Sequence, residues 1–95
     1  MTESVYSSGY KTVMAAVVAM RKAAGLTQRE LAEKLGVPQN FVGRVETNQR
    51  RLDFVELIRW IIACGGDPAS EVAKLAKSIG ARLPKGRGRR RREER

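Results

Sequence analysis

The chain has 95 residues, room for one small domain, and its 19 basic against 10 acidic side chains give a net charge of +9. It has no histidine and a single cysteine, Cys64, which excludes a histidine base, a Ser-His-Asp triad, an internal disulfide and a cysteine–histidine zinc site. Residues 1–81 hold 11 basic and 8 acidic side chains and residues 82–95 hold 8 and 2, so two thirds of the excess charge lies at the C-terminal end.

Residues 1–9, with Ser4, Ser7, Ser8 and Gly9, read as a flexible arm. A first helix is predicted over 10–24, where Val13, Val17, Met20 and Ala24 share one face and Gly25 supplies a C-terminal cap. The second helix, over 26–35, carries the best start signal in the chain. Thr27 is a good N-cap, Glu30 three residues on completes a capping box, and Leu26 with Leu31 is placed to form a hydrophobic staple. Leu31, Ala32 and Leu35 make its buried stripe, and Gly36 ends it.

A third, short helix should begin at Pro38 or Gln39 and run to 47, with Val42 and Val45 inward. Proline suits a first turn because its missing N–H has no helical partner there. A polar loop over 48–52 follows. Asp53 and Glu56 form a second capping box at the head of the fourth helix. Phe54, Leu57, Ile58, Ile61 and Ile62 give that helix a broad apolar surface, with Trp60 off the face made by Phe54, Ile58, Ile61 and Ile62. Gly65 and Gly66 stop it. Asp67-Pro68 starts a fifth helix striped by Val72, Leu75, Ala76 and Ile79 and ended by Gly80. No segment alternates as a strand does. The expected fold is all-α: a flexible arm at 1–9, a five-helix domain at 10–80 and a disordered basic tail at 81–95.

The second and third helices form a helix-turn-helix, in which the first member crosses the DNA backbone and the second enters the major groove. The run RKAAGLTQRELAEKLGVPQNFVGRVETNQRR resembles the lambda-repressor/Cro-like helix-turn-helix domains, the XRE family. The resemblance covers residues 10–66 and rests on GLTQxELA, the following LGV, the glutamine two residues on and the VE pair near the end of the third helix. It implies base reading by Gln39, Asn40 and Arg44, a phosphate contact and a brace from Gln28, and phosphate contacts from Asn48, Arg50 and Arg51. It also implies an architectural salt bridge between Arg21 and Glu46. Gly43 is grouped with the base readers: its lack of a side chain either lets the helix approach DNA closely or is merely tolerated at about 1 kcal/mol. Phe41 is grouped with the phosphate-side residues; its ring either meets a thymine methyl or shields the junction of the third and fourth helices. Pro38 departs from the family, standing where a serine or threonine cap is common.

Relatives bind inverted repeats as dimers, so the resemblance implies a homodimer on double-stranded DNA. Trp60, Val72, Leu75 and Ile79 are the candidate dimer residues, unless both stripes simply close the core of one chain. Cys64 reads as a small core residue. The basic tail would follow phosphates with little sequence information. The longest apolar run, 13–20, is too short for a membrane span, no leader pattern is visible, and one free thiol fits a cytoplasmic, bacterial or phage-encoded protein. The expected function is transcriptional regulation without cofactor, metal or enzyme activity, with RNA polymerase as a further partner. The competing reading is an antitoxin that sequesters a toxin and regulates its own operon.

Overall fold

The computed structural model describes residues 5–80, with side chains from Ser8 onward. The first four residues of the expected arm and the expected tail at 81–95 lie outside the described residues. Five helices follow in order: α1 (Val5–Ala23), α2 (Gln28–Leu35), α3 (Asn40–Glu46), α4 (Phe54–Ala63) and α5 (Pro68–Gly80). Among the described residues there is no strand, and the fold is all-α. No described helix is long and apolar enough to cross a membrane.

Both capping boxes form. Thr27 Oγ1 accepts from the Glu30 N–H at 3.0 Å, and Glu30 Oε1 accepts from the Thr27 N–H at 2.9 Å. Asp53 Oδ1 accepts from the Glu56 N–H at 2.7 Å, and Glu56 Oε1 accepts from the Asp53 N–H at 2.9 Å. Each box satisfies two N–H groups that have no partner inside the helix.

The turn between α2 and α3 depends on Gly36, whose φ of 71° is left-handed. The N–H of Val37 reaches the Ala32 carbonyl at 3.1 Å and that of Gly36 reaches Glu33 at 3.2 Å, the paired bonds of a Schellman closure. Only four residues separate the two helices, and α3 is set directly against α2.

Two local expectations needed correction. The first helix begins at Val5 rather than at residue 10, so part of the expected arm is helical. Gly9, which reads as a breaker, is buried, and a Cβ there would lie 3.4 Å from Ile79 Cγ2. Packing against α5 outweighs the weak local propensity of the serine- and glycine-rich stretch.

The second correction concerns α4. Trp60 is fully buried, and its indole Nε1–H donates to the Val17 carbonyl at 3.0 Å. It belongs to the core cluster with Val17, Leu31, Ala32, Leu35, Val42 and Val45, and has no surface left for a dimer contact. Phe54, Val55 and Ile62 face outward instead, at 68, 63 and 57% exposure. At 100° per residue the inward face of α4 is Leu57, Trp60 and Ile61. Burying the indole removes the largest apolar side chain from water while its N–H finds a carbonyl. Leu75, the other large dimer candidate, is also buried, because α5 packs on α1 and α4.

Candidate nucleic-acid interface

A capped α2, a four-residue turn and a seven-residue α3 leave one concave face. It is lined by Gln28, Gln39, Asn40, Gly43, Arg44, Thr47 and Gln49. Gln28, Gln39, Asn40, Gly43 and Arg44 were anticipated there. Thr47 and Gln49 were not. The signal for Thr47 is its spacing, since Asn40, Gly43, Arg44 and Thr47 recur every three or four residues along one face. Gln49 lies beyond the helix, where periodicity gives no guide. The lining offers four side-chain amides, a hydroxyl and a guanidinium, with no carboxylate. Such a surface can pair with neutral base edges and tolerate phosphates.

α3 has no side-chain cap. Gln39 holds the N-cap position with helical φ and ψ and makes no capping bond. Pro38 lies just outside the helix, its carbonyl accepting from the Phe41 N–H at 3.0 Å. Missing a serine or threonine cap costs about 1 kcal/mol, but it leaves the Gln39 amide uncommitted.

Three helices meet at Glu46. Arg21 of α1 donates from Nε to Glu46 Oε2 at 2.7 Å and from Nη2 to Oε1 at 3.0 Å. Its Nη1 donates to the Leu26 carbonyl at 2.8 Å. The pair is largely buried, with side-chain exposures of 12% and 7%. The hydrogen bonds to Glu46 raise the pKa of the Arg21 guanidinium, against the opposing effect of burial. Removing one partner of such a pair costs about 3–5 kcal/mol because the other charge is stranded.

Gln28 joins the same carboxylate, donating from Nε2 to Glu46 Oε1 at 2.9 Å. A carboxylate only accepts, so the amide nitrogen must face it. The amide oxygen therefore turns over α3, and a Cβ on Gly43 would come within 3.3 Å of it. This gives Gly43 a role within the fold that neither sequence expectation contained: it makes room for the Gln28 amide.

The remaining expected phosphate ligands separate. Phe41 is corrected: its ring packs half-buried against the core, and a hydrocarbon ring cannot donate to a phosphate. It shields the junction of α3 and α4. Arg50 lies over that ring at 4.6 Å and gives its fork to Glu56, Nη1 to Oε1 at 2.8 Å and Nη2 to Oε2 at 3.0 Å. The hydrogen bonds raise the pKa of Arg50 and lower that of Glu56. Arg51 is exposed, with its guanidinium 4.1 Å over the Tyr10 ring. Asn48 ends α3 with a φ of 64°. The Gln49 N–H reaches the Arg44 carbonyl at 2.7 Å and the Asn48 N–H reaches Val45 at 3.0 Å, the same closure as at Gly36 with asparagine in the left-handed position. Among the described residues, no group of cysteines and carboxylates is arranged to hold a metal.

The chain matches a family model described as helix-turn-helix over residues 17–70. Among solved structures it is similar to an XRE-family like protein from Pseudomonas syringae pv. tomato str. DC3000, at 36% identity and a TM-score of 0.74, over 78% of this chain and 90% of that one. No curated protein matches it. The family match runs from within α1 into α5 and includes the Arg21–Glu46 pair and the whole concave face. With the capped α2, the Gly36 turn and the short α3 all inside it, the chain belongs to the XRE family of lambda-repressor/Cro-like helix-turn-helix proteins, DNA-binding regulators of transcription.

Proposed function

We propose that the protein binds an inverted-repeat operator as a homodimer and represses or activates its own or a neighbouring promoter. The observation that carries this reading is the grouping of Gln39, Asn40 and Arg44 on one concave face. Glutamine and asparagine can pair with adenine N6 and N7, and arginine with guanine O6 and N7. The Gly43 backbone runs between them. Gln28, Asn48 and Arg51 contact phosphates around these readers, and Arg50 braces the loop through Glu56. Phosphate contacts fix register, while base contacts carry the sequence preference.

The dimer follows from the small size of one module and from apolar surface that the single chain leaves uncovered. Phe54, Val55 and Ile62 of α4 supply that surface, and Val72 and Ile79 of α5 are only half-buried. Two-fold pairing would set the recognition helices about 34–36 Å apart, one DNA turn. The same exposed stripe favours a second reading, an antitoxin that covers it with a toxin and regulates its operon through the concave face.

Selection of binding sites from random DNA at near-physiological salt tests the first reading. The expected product is a short inverted repeat with half-sites one turn apart. Gln39→Ala or Arg44→Ala should then weaken binding to that repeat about tenfold and leave random-DNA affinity nearly unchanged. Equal losses on both DNAs would remove direct base reading by these residues. A stoichiometric protein partner covering α4 would favour the antitoxin.

A further inference from the structure

We infer that Gln49, which lies outside the recognition helix, is a further specificity-determining residue that reads a base edge, and that Thr47 positions it. The inference rests on the DNA-binding reading above. Gln49 lines the concave face with Gln39, Asn40 and Arg44 although it follows the end of α3. Its backbone is tied to the helix by the 2.7 Å bond from its N–H to the Arg44 carbonyl. Its side chain is tied as well, with Nε2 donating to Thr47 Oγ1 at 3.0 Å.

The hydroxyl settles which way the amide points. Thr47 Oγ1 donates its single hydrogen back to the Gly43 carbonyl at 2.9 Å. Towards Gln49 it can therefore only accept, so the amide nitrogen faces it. The relay runs from Gln49 through Thr47 to the backbone of α3. It leaves the Gln49 carbonyl oxygen and one N–H for a partner. An adjacent donor and acceptor complement N6 and N7 of adenine in the major groove. A glutamine held at both its backbone and its amide loses less rotamer entropy on binding than a free one, which turns a loop residue into a preorganised reader.

Asn48 makes this placement possible. Its left-handed conformation folds the chain back at the end of α3, so that the following residue returns to the face that Asn40 and Arg44 occupy. A right-handed residue there would carry position 49 onward along the helix.

The test repeats the operator selection with Gln49→Ala, Thr47→Val and Thr47→Ser. Gln49→Ala should flatten the preference at one base position in each half-site by about tenfold, with the other positions and random-DNA affinity retained. Thr47→Val removes the hydroxyl at nearly constant shape and should relax the same position. Thr47→Ser should restore it. An unchanged profile for Gln49→Ala overturns the inference alone. Equal weakening on operator and random DNA, with a shallower salt dependence, makes Gln49 a phosphate contact and also overturns it. Full preference at that position in Thr47→Val refutes the positioning role. A wild-type selection without any consensus defeats both this inference and the function it rests on.

Discussion

Arg50 and Arg51 are neighbours of the same chemistry, yet the fold gives them different surroundings. Arg50 spends its fork on Glu56 and its planar face on Phe41, while Arg51 stacks on Tyr10. The sequence could not separate them, because Glu56 already had an assignment in the capping box and nothing local ties it to position 50. Glu56 therefore does two jobs, and a pH series can divide them. The Arg50 hydrogen bonds, followed by the Asp53 N–H, hold its pKa below the ordinary 4.5. The folded state then binds fewer protons than the unfolded chain in that range, so the stabilisation is full above the ordinary glutamate pKa and disappears as pH falls through the lowered one. Glu56→Gln keeps a capping acceptor and removes the charge. It should lower thermal stability only slightly at neutral pH, as an exposed pair contributes little. The difference from wild type should vanish in acid, as read from thermal unfolding at successive pH values.

At the scale of the helices, starts were more legible than facings. Thr27 with Glu30 and Asp53 with Glu56 announce α2 and α4 because a cap is a local event, made by residues three apart. The facing of α4 is not local. Its apolar side chains cover too wide an arc for periodicity to choose an inward half, and the choice falls to Trp60, whose N–H needs the Val17 carbonyl of α1. The N-terminal extension of α1 was hidden for the same reason, since Gly9 is suited to its contact with Ile79 rather than to its own helix. The end of α3 provides a test at this scale. Asn48 holds a φ of 64°, which asparagine and glycine tolerate and a β-branched residue does not. Asn48→Gly should stay within a few tenths of a kcal/mol of wild type in urea unfolding, whereas Asn48→Val should lose about 1–2 kcal/mol. Binding of the glycine variant to random DNA then isolates any phosphate contact of the Asn48 side chain.

Considered whole, the chain separates its surfaces. The concave face of α2 and α3 is polar, and α4 turns the apolar Phe54, Val55 and Ile62 outward. The candidate readers Gln39, Asn40 and Arg44 came from the family resemblance, and the fold sets all three on one concave face. The facing of the apolar stripes was not legible, because such a stripe looks the same whether it closes one chain or joins two. Trp60 and Leu75 serve the core, which leaves Phe54, Val55 and Ile62 as large apolar side chains in water. Ile62→Glu should weaken self-association more than tenfold in sedimentation velocity. Because Ile62 is 57% exposed, its thermal stability should stay within about 0.5 kcal/mol of the wild type. A large loss of stability would instead mean that folding is coupled to self-association.

The uncapped start of α3 has an evolutionary consequence. Gln39 makes no capping bond, so replacing it removes no hydrogen bond from the fold. Asn40 and Arg44 are likewise exposed on the same helix. Substitutions at such surface positions usually change stability by less than about 0.5 kcal/mol. If these residues read bases as proposed, descendants of this chain can drift toward new operators through single neutral-in-stability steps, while the burden of folding stays with Arg21, Glu46 and the core. Two duplicated copies would diverge in target long before they diverged in architecture.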